Sequence, residues 1–232
     1  IEERNNQMNV FEASNERLKT VFSEFDNVYV SFSGGKDSGV LLNLCIDYLR
    51  KHHPGRKLGV FHIDYEAQYQ MTTDYVDAEL AKNKDILDVY RICLPIAAKC
   101  ATSAYEPYWI PWDTRKRKLW VRDLPMNAVT ELNHEFPWFK KGMWDYDLQE
   151  RFSTWYHKKM NAKRTACLVG IRTDESLNRW RAIYSDKNKN KYDGLEWTLK
   201  LSDGVYNAYP IFDWKVDDVW IANAKEGWSY NR

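Results

Sequence analysis

Apolar positions recur along the chain in two periods that take turns. From Asn9 to Phe25, the residues Val10, Phe11, Leu18, Val21, Phe22 and Phe25 fall at helical spacing with polar residues between them, which predicts an amphipathic helix laid over a sheet. Val28-Tyr29-Val30-Ser31-Phe32 is a short β-rich run that stops at Ser33-Gly34-Gly35, and Val40, Leu41, Leu44, Cys45, Tyr48 and Leu49 then resume the helical period. Pro54-Gly55 ends that helix, Lys57 to Ile63 predicts a second strand closing on Asp64, a polar helix follows from about Met71 to Lys84, and a third strand runs from Ile86 to Cys93. Thr165 to Ile171 is an unbroken apolar run suited to a central parallel strand buried on both faces. Asp174 is placed as the N-cap of a helix reaching Tyr184, and Ser185 to Gly194 as a polar, mobile loop. Glu196 to Leu201 and Val205 to Tyr209 read as a hairpin across Ser-Asp-Gly, and Asp217-Asp218 opens a last helix with Val219, Trp220 and Ile221.

Strands alternating with helices predict an α/β fold: a doubly wound, mostly parallel, Rossmann-like sheet with helices on both faces. Ligands of such sheets bind beyond the carboxyl ends of the strands. That rule aligns the Ser33 to Ser38 loop, Asp64 and the segment after Gly170 along one edge. Between Ala104 and Arg164 the composition shifts, with six of the 11 tryptophans, an excess of basic over acidic side chains, and the run Arg115-Lys116-Arg117-Lys118. We read 104–164 as a Trp-rich, helical insertion within a single domain spanning 1–232. Three roles stay open for it: a packed cap or protein interface, a surface that stacks bases and neutralises phosphates of nucleic acid, and a substrate lid. The lone His134 and His157 read as core or surface residues and not as metal ligands.

With 232 residues, 44% of them hydrophobic, the chain can build one sizeable core. A formal charge of +1, from 34 basic and 33 acidic side chains, supplies no global field toward nucleic acid or a membrane surface. No apolar run approaches the ~20 residues of a membrane span. Cys45, Cys93, Cys100 and Cys167 form no C-x-x-C pair and no paired metal-ligand spacing, so neither a disulfide framework nor an iron-sulfur cluster is expected, and a cytoplasmic location is.

The candidate chemistry begins at Ser33-Gly34-Gly35-Lys36-Asp37-Ser38. Two glycines let the backbone approach a phosphoanhydride so that successive N–H groups form an anion nest, and the helix that follows adds its positive end. Ser33 and Ser38 offer hydroxyls, Lys36 a cation, and Asp37 a carboxylate able to hold Mg²⁺. The alternative is a glycine-rich turn with a solvated Lys-Asp pair. Arg172 has its own alternative, pairing with Asp174 or Glu175, and Asp64 could be a strand-end cap.

Ser31-Phe32-Ser33-Gly34-Gly35-Lys36-Asp37-Ser38 resembles the PP-loop of the ATP pyrophosphatase (adenine nucleotide α-hydrolase) superfamily, whose fold is of the HUP type. Gly170-Ile171-Arg172-Thr173-Asp174-Glu175-Ser176 and Tyr209-Pro210 through Asp218-Val219-Trp220 are similar to segments of the phosphoadenosine phosphosulfate (PAPS) reductase family, and Phe61-His62-Ile63-Asp64 sits where that family has a strand-end aspartate. The resemblance covers about 9–94 and 165–231. It implies ATP or PAPS bound by Ser31, Ser33, Gly34, Gly35, Lys36, Asp37, Ser38, His62, Asp64, Gly170, Arg172, Glu175 and Arg179, with Lys36, Asp37 and Arg172 as the catalytic groups and Mg²⁺ on Asp37. The implied reaction is cleavage or transfer at the α-phosphorus with release of pyrophosphate. The family's reductases use a C-terminal cysteine, and none follows Cys167, so PAPS reduction or sulfur transfer would need a thiol from elsewhere. Trp228 to Arg232 resembles the start of a further family segment. A non-catalytic ATP sensor is the remaining alternative, and the resemblance also implies a ParB-like partner protein meeting the insertion.

Overall fold

The computed structural model describes residues 8–100, 103, 105–184 and 190–231. Residues 185–189 of the expected mobile loop, Ala104 at the start of the insertion, and Arg232 lie outside them.

Helix α1 (Val10–Glu24) starts where Asn9 accepts the Glu12 amide and Glu12 accepts the Asn9 amide. Such a reciprocal cap contributes about 1 kcal/mol. Strand β1 (Asn27–Ser31) leads through the glycine loop to α2 (Lys36–His52), then come β2 (Leu58–Ile63), α3 (Gln70–Lys82) and β3 (Leu87–Cys93). The segment set apart by composition holds a two-stranded pair, β4 (Ala98–Lys99) with β5 (Tyr108–Trp109), a 3-10 turn at Thr114–Leu119, β6 (Ala128–Thr130) and α4 (Asp145–Lys159). Then follow β7 (Thr165–Val169), α5 (Leu177–Tyr184), the hairpin β8 (Thr198–Ser202) and β9 (Val205–Ala208), and α6 (Val216–Glu226). Asp174 does not cap α5. It lies inside a 3-10 turn, Thr173–Glu175, and the helix begins three residues later.

One seven-stranded sheet runs in the order β6-β3-β2-β1-β7-β9-β8. Every pairing is parallel except β8 with β9, so the sheet is doubly wound with one antiparallel edge strand, and a bulge interrupts that edge between Lys200 and Ser202. Alternation along the strands separates two cores. Val28 and Val30 of β1, Leu58 and Val60 of β2, and Ala166 and Leu168 of β7 join residues of α1, α2, α3 and α6 on one face. Tyr29, Phe61 and Cys167 point the other way and meet Leu148, Phe152 and Tyr156 of α4. The aromatic rings there pack tightly, with Phe61 and Phe152 centroids 4.3 Å apart and Tyr29 edge-on to Tyr156 at 5.4 Å.

Segment 104–164 is therefore not wholly separate from the domain. Its β6 extends the main sheet beside β3, and its α4 is the crossover helix that covers the second face on the way to β7. Among the described residues, no helix is long and apolar enough to cross a membrane.

Candidate functional site

From β1 the chain runs outward through β2, β3 and β6, then returns to β7 on the opposite side of β1. The order of strands reverses between β1 and β7, where Ser31 pairs with Val169, and a crevice at such a reversal is where open α/β sheets hold ligands.

Two glycines shape this point. Gly34 has φ +81°, and a Cβ on it would come within 2.7 Å of the Val76 side chain on α3. Gly170 lies against the first turn of α2, so a Cβ there would stand 3.0 Å from both the amide nitrogen and the Cα of Ser38. Gly35 precedes α2 with no side chain capping the helix, so the first-turn amides end beside the loop. The Ser33 and Ser38 hydroxyls lie 2.9 Å apart, Ser38 Oγ donates to Gly35 O at 3.0 Å, and the Gly35 amide donates to Ser33 Oγ at 3.3 Å.

Arg172 and Asp37 form the charged centre. Arg172 is 3% exposed and Asp37 8%. Arg172 Nε donates to Asp37 Oδ1 at 3.0 Å and Nη2 to Oδ2 at 3.4 Å, while Lys36 Nζ lies 3.3 Å from Oδ2. Of the partners weighed for this arginine, Asp174 and Glu175 stand only at 3.9 Å, and Glu175 instead takes Arg179 at 2.6 Å. The remaining guanidinium nitrogen, Arg172 Nη1, is buried without a hydrogen-bond partner.

The same contacts describe the surroundings of the carboxylate expected to hold magnesium. Both Asp37 oxygens are engaged by cations, and no group of three or more His, Cys, Asp or Glu among the described residues could hold a metal ion. Each Asp37 oxygen is thus already paired with a cationic side chain, while magnesium at such loops is commonly held by one carboxylate together with substrate phosphates.

Asp64 and His62 are buried in other work. Arg91 Nε donates to Asp64 Oδ2 at 3.0 Å, Arg122 donates to Oδ1, and the Glu66 amide donates to Oδ1 at 3.0 Å. His62 Nδ1 lies 2.7 Å from the carbonyl of Phe32, and burial pushes its pKa below the ordinary value of 6.5. Ser31 ends β1 beside Val169 and Phe61. The structure thus gathers Ser33 to Ser38, Gly170 and Arg172 into one cluster, sets the Glu175–Arg179 pair at its margin, and ties Asp64 to the insertion.

Two groups at the site were not legible in the motifs. Asn231 Nδ2 donates to Gly34 O and to Thr72 Oγ1, each at 2.9 Å. Arg91 stands within the apolar run of β3, and a charge in such a run demands a partner, which was the available signal for Asp64. A cleft of about 510 Å³ opens beside Lys36 between Tyr69, Thr72 and Asn231. It shares Tyr69 and Thr72 with a cleft of about 770 Å³ lined by Tyr65, Lys99 and Trp109. Three of the thiols, Cys45, Cys93 and Cys167, are buried, which raises their pKa values, that of Cys167 to about 12.

The sequence model described as the Phosphoadenosine phosphosulfate reductase domain matches residues 27–232. The uncharacterized protein YbdN of Escherichia coli (strain K12) is 36% identical over 215 residues, 92% of this chain and 51% of the relative, so the chain spans about half the length of that curated relative. A crystal structure of Candida glabrata FMN adenylyltransferase with FMN and the ATP analog AMPCPP is similar at TM-score 0.50 and 15% identity, over 96% of this chain and 60% of that one. The U34-tRNA thiolase NcsA from Methanococcus maripaludis, with its iron-sulfur cluster, gives 0.50 and 14%, over 96% and 65%. At such identities the likeness is one of fold, the Rossmann-like HUP arrangement.

Proposed function

Because the chain belongs to the phosphoadenosine phosphosulfate reductase family, we propose that it binds an adenine nucleotide, ATP or PAPS, with the phosphoanhydride on the loop from Ser33 to Ser38. The observation that carries this reading is the half-used guanidinium of Arg172. Asp37 fixes its Nε and Nη2 while Nη1 stays buried without a hydrogen-bond partner, its nearest carboxylate, Asp174, at 3.9 Å, beside a glycine loop at the strand-order reversal. A buried unpaired donor costs about 1–3 kcal/mol, and a phosphate oxygen is the acceptor that a guanidinium fork suits best.

The reaction proposed is substitution at the α-phosphorus of ATP. An acceptor nucleophile attacks, the bond from the α-phosphorus to the bridging oxygen breaks, and pyrophosphate carries that oxygen and the electron pair away. Lys36, Arg172 and the first amides of α2 stabilise the charge that builds on the leaving group, and Asp37 acts by orienting Arg172. His62 and Asp64 support the strand ends beneath the site.

Labelled ATP incubated with the protein is expected to yield pyrophosphate, and Lys36→Ala to lower that rate by about a hundredfold, the scale of one lost transition-state donor. Family membership also favours a second reading, PAPS as substrate with a thiol from elsewhere. Tighter calorimetric binding of PAPS than of ATP would select it, and tight ATP binding without turnover would point to a sensor.

A further inference from the structure

Asn231 reaches the phosphate loop from a segment 197 residues further along the chain than Gly34. A primary amide has two N–H donors, and both are used here, one on Gly34 O and one on Thr72 Oγ1. Because the Gly34 carbonyl can only accept, the contact fixes which end of the Asn231 amide faces it. The segment is tied down on either side of α2 and α3: Trp228 Nε1 donates to Asp47 at 2.8 Å, and Ser229 Oγ donates to Glu79.

Gly34 is at φ +81°, and with no Cβ it gives the next peptide plane little reason to prefer one orientation. In a planar trans peptide the C=O and N–H point in opposite directions, so whatever holds the Gly34 oxygen also aims the Gly35 N–H. That N–H donates to the hydroxyl of Ser33 at 3.3 Å. A flipped plane would present a carbonyl oxygen to an arriving phosphate instead.

We propose that Asn231 is a positioning residue for the nucleotide phosphates, locking the Gly34–Gly35 peptide with its N–H toward the anion and its carbonyl away. The inference rests on the nucleotide reading of the loop given above.

The test compares wild type, Asn231→Ala and the isosteric Asn231→Asp, with ATP titrated by calorimetry, adenosine by ligand-observed NMR, and Tm recorded for each. Both variants are expected to bind ATP about tenfold more weakly, the scale of one hydrogen bond to a charged ligand. Adenosine affinity, which involves no phosphate, is expected to stay at the wild-type value. ATP affinity unchanged in both Asn231 variants, or an equal loss for ATP and adenosine, overturns the positioning role while leaving the nucleotide reading intact. A wild-type chain that binds neither ATP nor PAPS overturns that reading and this inference with it.

Discussion

At Gly170 the fit between β7 and the first turn of α2 comes down to a single missing methyl group. The atoms it would strike belong to the Ser38 backbone and cannot swing aside as a side-chain tip could. Gly170→Ala is expected to cost about 1–3 kcal/mol by overpacking, read from denaturant unfolding, and to weaken ATP binding as the helix amides shift. His62 gives the molecule a pH response. Burial depresses its folded-state pKa, so below the ordinary 6.5 the unfolded chain takes up the proton and the folded chain resists it. The stability this contributes is complete above about pH 6.5 and is lost as pH falls below that value, so Tm is expected to decline toward about pH 5, and less steeply in His62→Gln. Lys36, Asp37 and Arg172 were legible from the sequence because glycine-flanked charges at a strand-to-helix junction have few structural uses. Their pairing was not, since Asp37 and Arg172 are 135 residues apart and only the sheet order brings them together. Trp228 to Arg232 stood out only as resembling a family segment, and the contact of Asn231 with the loop was not legible because one polar side chain in an irregular segment has no period.

Among the elements, the connection from β2 to the Trp-rich segment is held by a compact ionic knot. Asp64 takes Arg91 and Arg122, the Trp112 indole donates to the Asp64 carbonyl at 2.7 Å, and Glu66 accepts the Trp112 amide at 2.6 Å and the Val121 amide at 3.2 Å. Glu66 and Trp112 both sit at positive φ, 66° and 53°, a conformation that costs about 1–2 kcal/mol for a residue with a Cβ and that these contacts enforce. Asp64→Asn leaves the mostly buried Arg122 short of its counter-charge and Arg91 with Asp77 alone, and a loss of about 3 kcal/mol is expected in denaturant unfolding, with limited proteolysis becoming faster between Asp113 and Asn127. The strands β1, β2 and β7 and the helices α1 and α2 were legible because their apolar periods are sustained, and β3 was legible despite Asp88 and Arg91 because turn residues bound it. By contrast, β6 is three residues long, and α4 carries its buried face on Leu148, Phe152 and Tyr156 amid tryptophans and charges, so the composition of the segment masked the helical period.

For the whole molecule, the return of the chain to β7 gives the sheet two flanks, and the phosphate loop lies at their junction. The thiols follow from the same layering. Cys45 lies in the core on one face of the sheet and Cys167 in the core on the other, and Cys93 is buried with Trp112 and Ala128. A thiol reagent is expected to label the partly exposed Cys100 first and to reach the other three only as fast as the chain unfolds, which mass spectrometry with and without denaturant would resolve. The bulge in β8 has a consequence for solubility. A flat, regular outer strand offers a row of unpaired backbone groups on which a second molecule can template a growing ladder. Here one rim of the sheet is kinked beside the exposed Lys200 and the other ends in only three residues, so crowded chains find no straight border to zip along.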